Sequence, residues 1–111
     1  MEKLASLIRR IQDAGFTAET NLTDVILKIT EEIGEVAAED LRVRGIKPKD
    51  KEKNPIIERK EESCDVLLAT LDLVLRQMTV EEMERILEIK FEKWLSYRNN
   101  SSDDSSQLKM F

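Results

Sequence analysis

The chain has 111 residues, 41% of them hydrophobic and 37% charged, a length and mixture that fit one globular domain and leave no room for two. No apolar run approaches the roughly 18 residues that a membrane span requires. Glu2 stands at an N-terminus without an apolar stretch and cleavage site, so a cytoplasmic location is expected. The sequence has no histidine and one cysteine, Cys64, which excludes a Cys/His zinc site, a Ser-His-Asp triad and an internal disulfide. Eighteen basic against 23 acidic residues leave a net charge of −5, so direct nucleic-acid binding by overall charge is not expected.

Three glycines, two prolines and five aromatic residues favour an all-α chain, because turn-rich β architectures need more residues that permit tight turns. Leu4, Leu7, Ile8 and Ile11 follow the spacing of one helical face, and Gly15 is expected to stop this first helix. A loop follows around Phe16 to Thr20. From about Asn21 to Val43, Leu22, Ile26, Ile29, Ile33 and Val36 recur at helical spacing, while Glu31, Glu32, Glu35 and Glu39 occupy much of the remaining surface. The segment from Arg44 to Pro55 holds both prolines, one glycine and lysines at 47, 49, 51 and 53, and reads as an exposed basic connection.

A third helix is expected from Ile56 to Met78. Its run from Val66 to Leu75 is apolar nearly all round, which predicts burial by neighbours on several sides. Thr79 and Glu82 form the sequence pattern of a capping box that opens a fourth helix, with Met83, Ile86, Leu87, Phe91 and Trp94 as its apolar face and its end near Arg98. Residues 1–98 thus form the expected helical domain. Residues 99–106, Asn-Asn-Ser-Ser-Asp-Asp-Ser-Ser, have no apolar group to bury and are expected to act as a disordered tether.

The chemistry-bearing residues are carboxylates. Glu31-Glu32-x-x-Glu35 on the second helix is answered, after residues 36–61, by Glu62-x-x-Asp65 on the third. The i, i+3 spacing puts Glu32 with Glu35, and Glu62 with Asp65, on single faces with Cβ atoms about 5–6 Å apart. Two antiparallel helices would converge them. Asp65 sits in the apolar third helix, where an unpaired charge is expensive, and Asp72 lies two turns beyond it on nearly the same face. Four carboxylates without His or Cys select a hard, oxygen-seeking ion, Mg²⁺ or Mn²⁺. The alternative is a solvated acidic face with a buried Lys or Arg partner. Gly34 is unfavourable in a helix interior by about 1 kcal/mol relative to Ala, and a close approach by another helix or a ligand would justify it.

Lys28-x-x-Glu31-Glu32-x-x-Glu35, the spacing to Glu62-x-x-Asp65-Val66-Leu67-Leu68, and Lys90-Phe91-Glu92-Lys93-Trp94 together resemble the MazG family of all-α nucleoside triphosphate pyrophosphohydrolases. The resemblance spans about residues 21–98. It implies a four-helix bundle completed by oligomerisation into a homodimer or homotetramer. It also implies hydrolysis of a nucleoside triphosphate between its α and β phosphates, with Glu32, Glu35, Glu62 and Asp65 holding Mg²⁺ and Glu31 binding a second ion or orienting the attacking water. Lys28, Lys90 and Lys93 become candidate phosphate contacts, with Asp72 a further substrate contact and Arg98 a weaker one. Phe16 and Trp94 are aromatic groups able to stack on a base, although helical spacing favours a core role for Trp94. The acidic motifs also resemble those of phosphoribosyl-ATP pyrophosphohydrolase, and a non-catalytic helical adaptor is the alternative from another class.

The last five residues, Gln107-Leu108-Lys109-Met110-Phe111, resemble the short peptides that dock on the DNA sliding clamp, with Gln107, Leu108, Met110 and Phe111 as the contact residues. Such a peptide on a polar tether would tie a nucleotide enzyme to replication.

Overall fold

Local chemistry at the helix ends explains where each element starts and stops. The structure is a computed structural model that describes residues 2–100. It contains four α-helices, α1 (Glu2–Thr17), α2 (Leu22–Val43), α3 (Pro55–Leu75) and α4 (Val80–Asn100), and no strand among the described residues. The all-α class read from composition is therefore the class observed.

Asn21 caps α2 with a reciprocal box. Its side chain accepts from the Asp24 amide at 2.9 Å, and its own amide donates to Asp24 Oδ2 at 3.1 Å. At the other end Gly45 adopts φ +76°, a left-handed conformation that glycine reaches without a Cβ penalty. The Ile46 amide then donates to Leu41 O at 2.9 Å and the Gly45 amide to Arg42 O at 3.2 Å, the paired bonds of a Schellman stop. Asn54 caps α3, accepting from the Ile56 amide at 2.9 Å, with Pro55 in the first turn where its missing N–H removes no bond. Thr79 Oγ1 accepts from the Glu82 amide at 3.1 Å and opens α4, which is one half of the capping box that the sequence pattern predicts.

Three boundaries differ from expectation. Gly15 does not stop α1, which continues to Thr17, where the hydroxyl donates to Ala14 O at 3.1 Å. Helix α3 ends at Leu75 rather than Met78, because the Gln77 amide turns back to Val74 O at 3.0 Å and tightens the chain. Helix α4 runs past Arg98 through Asn99 and Asn100, within the one or two residues over which helix ends vary.

The described residues fall into two compact units that divide after Gln77. In the first, α3 is the central helix and packs against both α2 and α1. Val25 and Leu75 are its buried apolar side chains, and an ion pair from Arg59 Nη1 to Asp40 Oδ1 at 2.6 Å joins α3 to α2. The expected burial of α3 on several sides is not found among the described residues of this unit. Leu67 is 58% and Leu68 50% exposed, because two neighbouring helices cover only part of its circumference. The second unit holds α4, with Val80 and Met83 buried and Phe91 stacked on Trp94 at a 5.8 Å ring separation. Trp94 is half-buried and carries the Arg98 guanidinium 4.8 Å above its ring, so its role is packing within α4 rather than a deep core.

Candidate metal centre and adjoining cavity

Helical geometry explains how the acidic residues meet. Glu32 and Glu35 lie one turn apart on α2, and the packing of α2 on α3 brings Glu62 to them. One carboxylate oxygen from each of the three lies within 4.8 Å of the others. Glu32 is buried to 6% exposure, Glu62 is half-buried and Glu35 is exposed.

The hydrogen bonding is incomplete where burial makes it costly. Glu32 Oε1 accepts from the Lys28 ammonium at 2.9 Å, but Glu32 Oε2 and Glu62 Oε2 are buried without a protein partner. A hydrogen bond to Glu35, which Glu62 can donate only when protonated, pushes the Glu62 carboxyl up to about 7; partial burial and the charges of Glu35, Asp65 and Glu32 add to the shift. The Lys28 ammonium is held above its usual value by its bond to Glu32 and by the nearby charges of Glu31, Glu32 and Glu35.

A divalent cation fits this donor set. Two orphaned buried oxygens and a third carboxylate from Glu35 present oxygen ligands alone, the chemistry preferred by Mg²⁺ or Mn²⁺ over softer metals.

Beside Glu32 opens a cavity of about 650 Å³, within the range of small-molecule sites. Helix α1 contributes Ile11, Ala14 and Gly15 to its walls, α2 contributes Asp24, Val25, Lys28 and Glu32, and α3 contributes Asp65, Leu68, Ala69 and Asp72, with Arg76 at its C-cap. Ala18 and Thr20 line it from the α1–α2 connection. Of the three converging carboxylates, Glu32 thus borders this largely apolar hollow.

Comparison with protein-family models, with curated proteins and with solved structures finds no match.

The predicted site residues divide accordingly. Glu32, Glu35 and Glu62 converge, and Lys28 joins them through Glu32. Glu31 is exposed beside the cluster, 3.7 Å from the Lys28 ammonium. Asp65 departs from expectation: it is exposed and lies outside the converging triad, although it lines the cavity and its charge acts on Glu62. The α3 face at Asp65 opens onto the cavity rather than into packed side chains, so the deeply buried acid is Glu32 instead.

Asp72 has the basic partner that the non-metal alternative anticipated. Arg76, one turn on, donates from Nε to Oδ1 at 2.9 Å and from Nη2 to Oδ2 at 3.2 Å. Gly34 is not explained by a close approach among the described residues, since a Cβ built there meets nothing within 4 Å. Lys90 and Lys93 are exposed on α4 in the second unit, and Phe16 is exposed at the end of α1. Gln107, Leu108, Met110 and Phe111 lie outside the described residues.

Sequence reasoning missed Gly15, Thr20 and Arg76 as parts of the cavity wall. The i, i+4 spacing of Asp72 and Arg76 was the available signal for that pair. The approach of Gly15 and Thr20 to it is a long-range event with no local signature.

Proposed function

We propose that this chain is a Mg²⁺-dependent nucleoside triphosphate pyrophosphohydrolase, cleaving between the α and β phosphates to release a monophosphate and pyrophosphate. The observation that carries the reading is the convergence of Glu32, Glu35 and Glu62, with two buried oxygens lacking a partner, beside a cavity of about 650 Å³. Its chemistry agrees with the MazG resemblance of the same motifs.

In this reading Glu32, Glu35 and Glu62 hold the ion, with Asp65 adding charge at the cavity edge. Bound there, Mg²⁺ neutralises phosphate charge and activates water as a nucleophile. Glu31, exposed beside the cluster, orients or deprotonates the attacking water. Lys28 exchanges part of its bond to Glu32 for a phosphate oxygen, a role suited to a cation with three donors. The apolar walls receive the uncharged part of the nucleotide. Lys90 and Lys93 are further phosphate contacts in the proposal. The exposed Ile26, Ile33, Leu67 and Leu68 support a homodimer or homotetramer, in which a second copy removes apolar surface from water. A cytoplasmic nucleotide pool is the setting that fits, and Gln107, Leu108, Met110 and Phe111 would dock on a sliding clamp.

The test is pyrophosphate release from a panel of ribo- and deoxynucleoside triphosphates and phosphoribosyl-ATP, with and without Mg²⁺. Metal-dependent release that is lost in Glu35→Ala and Glu62→Ala supports the assignment. Undiminished release in both variants, or none from the wild-type chain on any substrate, refutes it. Clamp docking is read separately by titrating purified clamp with the full chain and a truncation after Asn100, and equal affinities would dismiss it.

A further inference from the structure

The wall of the cavity contributed by α1 is held by one polar cluster. Arg76, at the C-terminal end of α3, binds Asp72 through two nitrogens and also reaches the α1–α2 connection. Its Nη1 donates to Thr20 O at 2.6 Å and its Nη2 to Thr20 Oγ1 at 2.9 Å. Helix α1 meets the same carboxylate: a Cβ built on Gly15 lies 2.8 Å from Asp72 Oδ1, closer than packed atoms tolerate. Asp72 cannot turn aside without giving up its bond to Arg76 Nε. Gly15, Thr20, Asp72 and Arg76 all line the cavity.

The placement of this cluster separates two jobs. Asp65 and Arg76 share one face of α3, and eleven residues at a rise of about 1.5 Å put them some 16 Å apart along the helix. The acidic cluster belongs to the Asp65 end, and the Arg76 cluster closes the other. Ile11, Ala14 and Gly15, the part of α1 that faces the cavity, and Ala18 just beyond it have no charged side chain. They offer a ligand apolar contact without a group that moves a proton or holds an ion.

We infer that Gly15, Asp72, Arg76 and Thr20 form a latch that sets α1 against α3, and that through it Arg76 acts as a positioning residue for substrate affinity, not for the chemical step. The inference rests on the proposed hydrolase reading and deepens it. Helix α1 is the binding wall, while α2 and α3 carry the reacting end.

The test compares the full-length wild-type chain with Gly15→Val, Arg76→Gln and Arg76→Lys. Kinetics use the nucleoside triphosphate that the wild type hydrolyses fastest, and hydrogen exchange of α1 amides is measured without nucleotide. Gly15→Val and Arg76→Gln are expected to raise KM about tenfold while kcat changes by less than about twofold. Their α1 amides should exchange about tenfold faster. Arg76→Lys keeps a charge beside Asp72 but loses the planar fork, so it should recover part of the affinity. A purely structural role lowers the active fraction, and so the apparent kcat, at constant KM, and that pattern overturns the inference. Faster α1 exchange with unchanged KM overturns it equally. A wild-type chain inert on every triphosphate sinks the hydrolase reading itself, and the coupling to substrate falls with it, whereas the hold on α1 then stands or falls by exchange alone.

Discussion

Adding the same methyl group at Gly34 and at Gly15 should have different consequences. Both residues are helical, Gly34 in the middle of α2 and Gly15 in the last turn of α1. Replacing a helix-interior glycine by alanine ordinarily stabilises a helix by about 1 kcal/mol, because the glycine loses more backbone freedom on folding. At Gly34 nothing lies within 4 Å of the new Cβ, so the gain is realised in full. That corresponds to a Tm increase of about 4 °C for a chain of this size. At Gly15 the new Cβ stands 2.8 Å from Asp72 Oδ1, which Arg76 Nε holds at 2.9 Å, and 3.5 Å from Arg76 Nε itself. Overpacking of this kind opposes the gain by roughly 1–3 kcal/mol. The two variants should therefore differ by about 4–12 °C in Tm, with Gly34→Ala the more stable. Thermal melts followed by circular dichroism, in metal-free buffer at one protein concentration, measure both. Equal stabilisation by the two substitutions would show that Asp72 yields readily, and the rigid latch would be refuted. Destabilisation by Gly34→Ala would refute the open space above α2 and point to a second copy packed there.

Two further outcomes concern the acidic cluster. The Glu62 carboxyl is raised in the folded chain from an ordinary value of 4.5 to about 7, so its contribution to stability is fully present below pH 4.5 and is lost as pH rises through 7. Urea midpoints in a chelating buffer should fall across that interval, and Glu62→Gln, which cannot ionise, should flatten the decline; an unchanged decline would remove Glu62 as its cause. Mg²⁺ at a hundred times its dissociation constant should stabilise the chain at pH 8 by about 2.7 kcal/mol through mass action, and differential scanning fluorimetry should register less of this at pH 5.5, where protons compete for the same oxygens. A pH-independent response, or an equal one in Glu35→Ala, would argue against ion binding at the triad.

Much of the local structure was legible because its causes lie a few residues apart. The i, i+3 pairing of Glu32 with Glu35 is visible in the sequence, as is the capping pattern of Thr79 with Glu82. Prediction failed where packing between helices decided the result. The third helix was expected to be buried because it is apolar nearly all round, yet α1 and α2 leave Leu67 and Leu68 largely exposed. Asp65 was expected to be the costly buried acid for the same reason. Burial depends on which neighbour covers a face, and that places Glu32 inside and Asp65 at the cavity edge.

By itself the sequence determined the helical class, the approximate course of the helices and the pairing of acidic residues on each, since backbone periodicity and capping act over three or four residues. Only the tertiary structure decided that Glu62 meets Glu32 and Glu35, that two of their oxygens lack partners, and that Gly15 and Thr20 close on Asp72 and Arg76. Those contacts join distant residues, and their energies depend on the separation, shielding and partners that packing creates.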